Sequence, residues 1–177
     1  TLSRYGLYGT DLGVTFHHNG KTFILFGDTD GVSGGDAMAE VVRASPDAGL
    51  ELVFPEASKG RYRPVFIPGI RQDGFEVPMA GTSIAGKMYV YHTTDHRPEF
   101  LMGRSVVAVS EDDGATFLYL YDLSTTHFIN VSVVAVGRAS WTGLPRQSDA
   151  GILLFGSGHY RKSDVRLAFQ PARDIES

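Results

Sequence analysis

The sequence predicts an all-β protein, a β-propeller of which about 2.7 blades are present. Three observations carry that expectation. Short β-branched and aromatic runs are punctuated by 21 glycines, which reads as many strands joined by turns. The chain repeats itself with a period near 65 residues. One turn has the form Ser-x-Asp-x-Gly-x-Thr-Phe. At 177 residues, 42% hydrophobic and 20% charged, the chain suits one globular domain with its own core.

The first repeat opens with Gly13 to Asp30, a strand, a tight turn at Asn19-Gly20 and a second, strongly apolar strand. Asn-Gly is the preferred pair for a type I′ hairpin, because both turn residues need positive φ. Val41 to Phe54 follows, passing through Ser45, Asp47 and Gly49. Ala37 to Arg43 offers the best helical candidate in an otherwise strand-like chain. In the second repeat, Gly81 to Asp95 is again a hairpin, with Gly86-Lys87 placed 66 positions after Gly20-Lys21. Val106 to Tyr119 brings Ser110, Asp112 and Gly114 at an offset of 65 from their counterparts. A fainter third copy runs from Asn130 to Gly137, Gly151 to Tyr160 and Asp164 to Gln170.

Strand–turn–strand–strand–turn units of this length match propeller blades, which are four-stranded antiparallel sheets stacked on their neighbours. The repeats fall at about 8–60, 61–122 and 123–177 within a single domain over 1–177. Dividing 177 by 65 leaves fewer blades than the roughly four to eight of a closed propeller, which predicts a fragment. A β-sandwich is the plainer alternative. Ser110 to Phe117 favours the propeller, being the Asp-box turn of sialidase-like blades. There a carboxylate accepts backbone N–H bonds, Gly supplies positive φ and the ring packs beneath. Asp47 and Asp112 are therefore structural.

Charge and composition exclude several function classes. Sixteen basic against twenty acidic side chains, with no Lys/Arg block, argue against nucleic acid and anionic membrane surfaces. No apolar run approaches the roughly 18 residues of a membrane span. Zero cysteines exclude disulfides and thiol chemistry. No His/Asp/Glu spacing suggests zinc or an EF-hand, so neither metal nor cofactor is expected.

The chemistry resides in Thr10 to Asp30. With a two-residue turn at Asn19-Gly20, cross-strand partners have numbers summing to 39, which sets Asp11 opposite Asp28. Their Cβ atoms would then lie about 4.5–5.5 Å apart on one face, an arrangement that costs stability. Two close carboxylates do not ionise independently; one holds its proton as a general acid while the other acts as base or nucleophile. That division of labour is glycoside hydrolysis. The structural alternative has Asp28 capping a turn and Asp11 starting a strand. Glu76, His92, Asn130, His159, Tyr160 and Arg161 occupy corresponding strand ends in the other repeats and are candidate substrate-binding residues.

YGTDLG (Tyr8 to Gly13), LFGDT (Leu25 to Thr29), FINVSVV (Phe128 to Val134) and FGSGHYRKSDVRLA (Phe155 to Ala168) together resemble a bacterial family. That family is domain of unknown function 4185, which includes endo-D-arabinanases classed as glycoside hydrolase family 183. The resemblance implies a five-bladed propeller, hydrolysis of the D-arabinan of mycobacterial cell-wall polysaccharides, and acids at Asp11 and Asp28. It also implies a secreted or cell-envelope protein with a polysaccharide or oligosaccharide as its partner. A non-catalytic carbohydrate-binding propeller is the alternative from another class.

Other signals are set aside. Gly31 to Gly35 matches Gly-x-Ser-x-Gly but lacks the strand-to-helix setting of a nucleophile elbow. A sialidase would need an arginine cluster for its substrate carboxylate, with one Arg shortly before a Pro in an early Phe-Arg-x-Pro-like strand, and Phe66-Ile67-Pro68 has no Arg at that place. Trp141 is equally suited to stacking on a sugar and to anchoring its loop.

Overall fold

A computed structural model describes residues 2–98, 101–158 and 162–177. Its regular structure is almost entirely antiparallel sheet, so the all-β expectation holds. The first sheet is a four-stranded meander of β1 (Leu7–His18), β2 (Lys21–Gly31), β3 (Ala37–Ser45) and β4 (Gly49–Val53). A small ribbon, β5 (Glu56–Ser58) and β6 (Arg61–Tyr62), follows it. The second sheet contains β7 (Pro78–Ile84), β8 (Lys87–Thr94), β9 (Arg104–Ser110) and β10 (Leu118–Ser124), each paired to the next. β11 (Asn130–Gly137), β12 (Ala150–Ser157) and β13 (Arg166–Pro171) form a three-stranded third sheet. A single helical turn, Leu2–Tyr5, precedes β1, and a 3-10 turn, Ala172–Asp174, follows β13. No helix among the described residues is long and apolar enough to cross a membrane.

Period-two alternation explains how the sheets stack. Along β8, Met88 and Val90 enter a core shared with Phe16, Phe23, Leu25 and Met38 of the first sheet. Tyr89 and Tyr91 point the other way, into a core with Val131, Ile152 and Leu154 of the third sheet. β8 is thus buried on both faces, and all four side chains are essentially inaccessible. A third cluster covers the opposite face of the first sheet, where Tyr5, Ile24, Ala37, Ala39, Phe54 and Tyr62 meet. The leading strands lie side by side, β1 beside β7 and β7 beside β11. Close approach there depends on Gly81: a Cβ at that position would sit 2.4 Å from the Phe16 ring.

Two expectations need correction. Ala37 to Arg43 is not helical; it is most of β3, paired with β2 through Phe23–Phe26 and with β4 through Glu40–Ser45. Ladder bonding on both edges, with Val41 and Val42 β-branched, overrides a local helical pattern. The β1–β2 hairpin turns at Asn19 and Gly20 with φ of 47° and 77°, and the expected register holds from His18↔Lys21 to Val14↔Leu25. It then shifts. Asp11 pairs with Gly27, not Asp28, because a bulge between Asp11 and Val14 places Leu12 at φ 58°.

The Ser110–Phe117 turn is closed by its own side chains. The Ser110 hydroxyl donates to Asp112 Oδ1 at 2.8 Å and accepts the Gly114 N–H at 2.8 Å. Asp112 also accepts the Thr116 N–H at 2.8 Å and the Thr116 hydroxyl at 2.7 Å. These bonds, the Thr116 amide first, pull the Asp112 carboxyl down to about 2. Phe117 is buried in the core between the first two sheets.

Candidate active site

The bulge that breaks the register also shapes the site. With Leu12 and Asp28 (φ 43°) both in the left-handed region, β1 and β2 open at this end of the hairpin. Residues Tyr8 to Gly13 of β1 are exposed, a run that would be half buried in a regular strand. Gly27 lets the strands close under the bulge, since a Cβ there would lie 2.6 Å from Leu12 and 2.8 Å from Val77.

Asp11 and Asp28 both line a cleft of about 850 Å³. Its remaining wall is mainly apolar and aromatic, including Val14, Phe75, Val77, Met79 and Phe155, with Asn130 and Ser157 from the third sheet. Partial burial raises the Asp28 carboxyl above the usual range, and the Asp11 charge raises it further. The Asp11 charge thus acts on Asp28 although their backbones are not directly opposed. Asp11 Oδ1 accepts the Leu12 N–H at 2.6 Å, which fixes the carboxylate against the bulge.

A second cavity of about 250 Å³ shares Asp28 with the cleft. Thr29, Asp36, Gln72, Asp73 and Glu76 line it. Asp36 is only 7% exposed, and burial, followed by the Asp28 and Glu76 charges, pushes its carboxyl up to about 7. Glu76 is buried as well; its Oε1 accepts the His96 N–H at 2.8 Å and lies 3.6 Å from Arg71 Nε. Its Oε2 is buried with no hydrogen-bond partner.

The expected binding residues separate. Asn130 is at the cleft wall, its side-chain amide donating to Gly158 O at 2.7 Å. Glu76 lines the second cavity instead of the main cleft. His92 lies in neither lining: it is fully buried, its Nδ1–H donating to Thr93 O at 2.6 Å and its Nε2 accepting from Gln72 at 3.2 Å. Burial lowers it to about 4, so it is a neutral core histidine with both nitrogens engaged. His159, Tyr160 and Arg161 lie outside the described residues. Ser33 of the Gly-x-Ser-x-Gly run donates to Tyr62 O at 2.6 Å, a loop-fastening role.

Sequence reasoning missed Asp36. An acid immediately before the apolar triplet Ala37–Ala39 marks a carboxyl drawn into a core, and that was the available signal. No three His, Asp or Glu side chains among the described residues are arranged to hold a metal ion.

The family described as Domain of unknown function (DUF4185) matches residues 1–177. The chain belongs to the DUF4185 family. No curated protein matches it. Membership in DUF4185 spans the whole chain, including β1, β2 and the second and third sheets that complete the cleft.

Proposed function

We propose that this DUF4185 chain is the cleft-bearing part of a glycoside hydrolase that cleaves polysaccharide, with D-arabinan of mycobacterial cell-wall glycans as the first substrate to test. The observation that carries the reading is the sharing of one cleft by Asp11 and Asp28, with Asp28 biased towards its protonated form. In this reading Asp28 protonates the leaving oxygen as an oxocarbenium-like transition state develops, and Asp11 is base or nucleophile. Phe75 and Phe155, 46% and 41% exposed, offer faces on which a sugar ring stacks. Asn130 and Glu76 contribute polar groups to the same region. Such a substrate lies outside the cytoplasm, so the reading assigns the protein to the secreted or envelope fraction.

The sheets are read as successive blades of a five-bladed propeller. Supporting this are the 66-position spacing of the Asn19-Gly20 and Ala85-Gly86 turns and the side-by-side leading strands. The cleft then occupies the mouth that those strands surround. The same aromatic cleft favours a binding module as the second reading, in which the carboxylates accept sugar hydroxyls without turnover.

Product analysis of the full-length protein on D-arabinan, arabinogalactan and sialosides tests both. Hydrolysis by wild type, reduced about 10²–10⁴-fold in Asp11→Asn and in Asp28→Asn, is the expected result. Near-wild-type release from either variant refutes the acid pair. Tight glycan binding without release from any of the three polymers replaces the hydrolase by the binding module.

A further inference from the structure

We infer that Asp36 is a positioning residue for Asp28: its carboxyl holds the backbone amide that follows Asp28 and forms the buried half of a proton-sharing pair with it. The inference deepens the proposed hydrolase site and rests on that reading for its catalytic meaning.

The geometry begins with the backbone. Asp28 has φ 43°, a conformation that a non-glycine residue keeps only when its surroundings hold it. The next amide, Thr29 N–H, donates to Asp36 Oδ1 at 3.2 Å. Asp36 thus ties down the residue that sets the direction of the Asp28 side chain. Both acids also line the 250 Å³ cavity.

Holding one amide does not require a charge, because an Asn side chain would do the same. A buried carboxyl is costly unless it is paired with a cation. Arg104 bridges Asp95 and Asp122, and Arg71 reaches Asp73 and Glu76. Asp36 has no such partner among the described residues. Its Oδ2 lies 3.9 Å from His92 Nε2, but that nitrogen already accepts from Gln72 while Nδ1 donates to Thr93, which leaves the ring neutral. Burial and the Asp28 and Glu76 charges raise Asp36 against the lowering pull of the Thr29 N–H bond, and Tyr62 and Asp73 stand nearby. Surrounded by acids and uncharged rings, Asp36 keeps its proton while Asp28 loses its own. The proton kept on Asp36 up to about pH 7 is then the reserve that passes to Asp28 when the leaving oxygen needs it.

The test uses the full-length protein with Asp36→Asn and Asp36→Ala. Carboxyl ¹³C NMR should show Asp28 of the wild type titrating in two steps, the second following Asp36, and Asp36→Asn should leave one step. On glycan, Asp36→Asn should keep kcat at acid pH but bring the alkaline limb of its pH profile to lower pH. Asp36→Ala, which also frees the Thr29 amide, should lose about 10–100-fold in kcat with KM little changed. If Asp36→Ala does not fold, Asp36→Asn carries the test alone. A single Asp28 step in wild type, or an Asp36→Asn profile superimposable on wild type, overturns the inference. Two-step titration in a protein that cleaves no glycan keeps the pair and removes the hydrolase reading; cleavage with one-step titration does the reverse.

Discussion

Asp36 carries a thermodynamic signature independent of catalysis. Its folded carboxyl is raised to about 7, while an unfolded aspartate titrates near 4. A raised folded value means that the fold prefers the protonated form. The associated stability is fully present below about pH 4 and is lost as pH rises towards 7. Asp36→Asn should therefore melt close to wild type at pH 4 and above it at pH 8, by an amount on the order of a few kcal/mol. Melting curves at the two pH values check this, and equal differences at both would contradict it. That Asp11 and Asp28 reach one cleft was legible because the Asn19-Gly20 turn folds β2 back along β1. Direct opposition was not legible, because nothing in Thr10–Asp11–Leu12–Gly13 distinguishes a bulged strand from a regular one. Asp36 was obscured because it follows the Gly/Ser run Gly31 to Gly35, which in sequence gives no sign that the chain turns back into a core.

At the scale of elements, one contact fastens the first hairpin to the second sheet. His18, 2% exposed at the end of β1, hydrogen-bonds Ser83 Oγ through Nδ1 and Asp113 Oδ1 through Nε2, both at 2.8 Å. Asn19 donates to the same Asp113 oxygen at 3.0 Å. The trio has the composition of a nucleophilic triad, but the carboxylate occupies Nε2 and neither cavity described above reaches it. It is a staple between turns. His18→Ala should cost about 1–3 kcal/mol, since it removes a buried ring together with its bonds to Ser83 and Asp113. The His18 bond, aided by Asn19, holds Asp113 below its usual value. A depressed carboxyl contributes stability above its unfolded value that is lost as pH falls through the folded one. Acid unfolding of His18→Ala should accordingly be less pH-dependent than that of wild type, as denaturant titrations between pH 2 and pH 6 would reveal. The 65-position offset from His18 to Ser83 was readable as a repeat, but not as a contact. Repeats announce equivalent places, whereas stacking decides which of them touch. Ala37 to Arg43 was misread for a related reason: its neighbours in β2 and β4 determine its conformation, and they are distant in sequence or hidden behind a turn.

For the whole molecule, the decisive feature is how closely the sheets approach along their leading strands. Gly81→Ala would drive a Cβ to 2.4 Å from the Phe16 ring, which moves β1 away from β7 unless the ring itself turns aside. Overpacking of this kind costs about 1–3 kcal/mol. Because β1 carries Asp11 and the Val77–Met79 stretch at the start of β7 forms cleft wall, the same substitution should lower the melting temperature and, under the proposed hydrolase reading, glycan cleavage as well. An unchanged melting temperature would show that Phe16 has room to turn aside. The all-β class and the order of strands were legible from glycine spacing and turn residues, while the double burial of β8 appears only when three sheets are assembled. The closing strands of the first two sheets lie at the other extreme. Leu50 on β4 and Leu118 on β10 are 60% and 63% exposed, each three strands removed from the leading strand of its sheet. A fluorophore or surface tether attached at either position would leave the acids untouched, so the molecule provides its own handles for immobilisation and single-molecule observation.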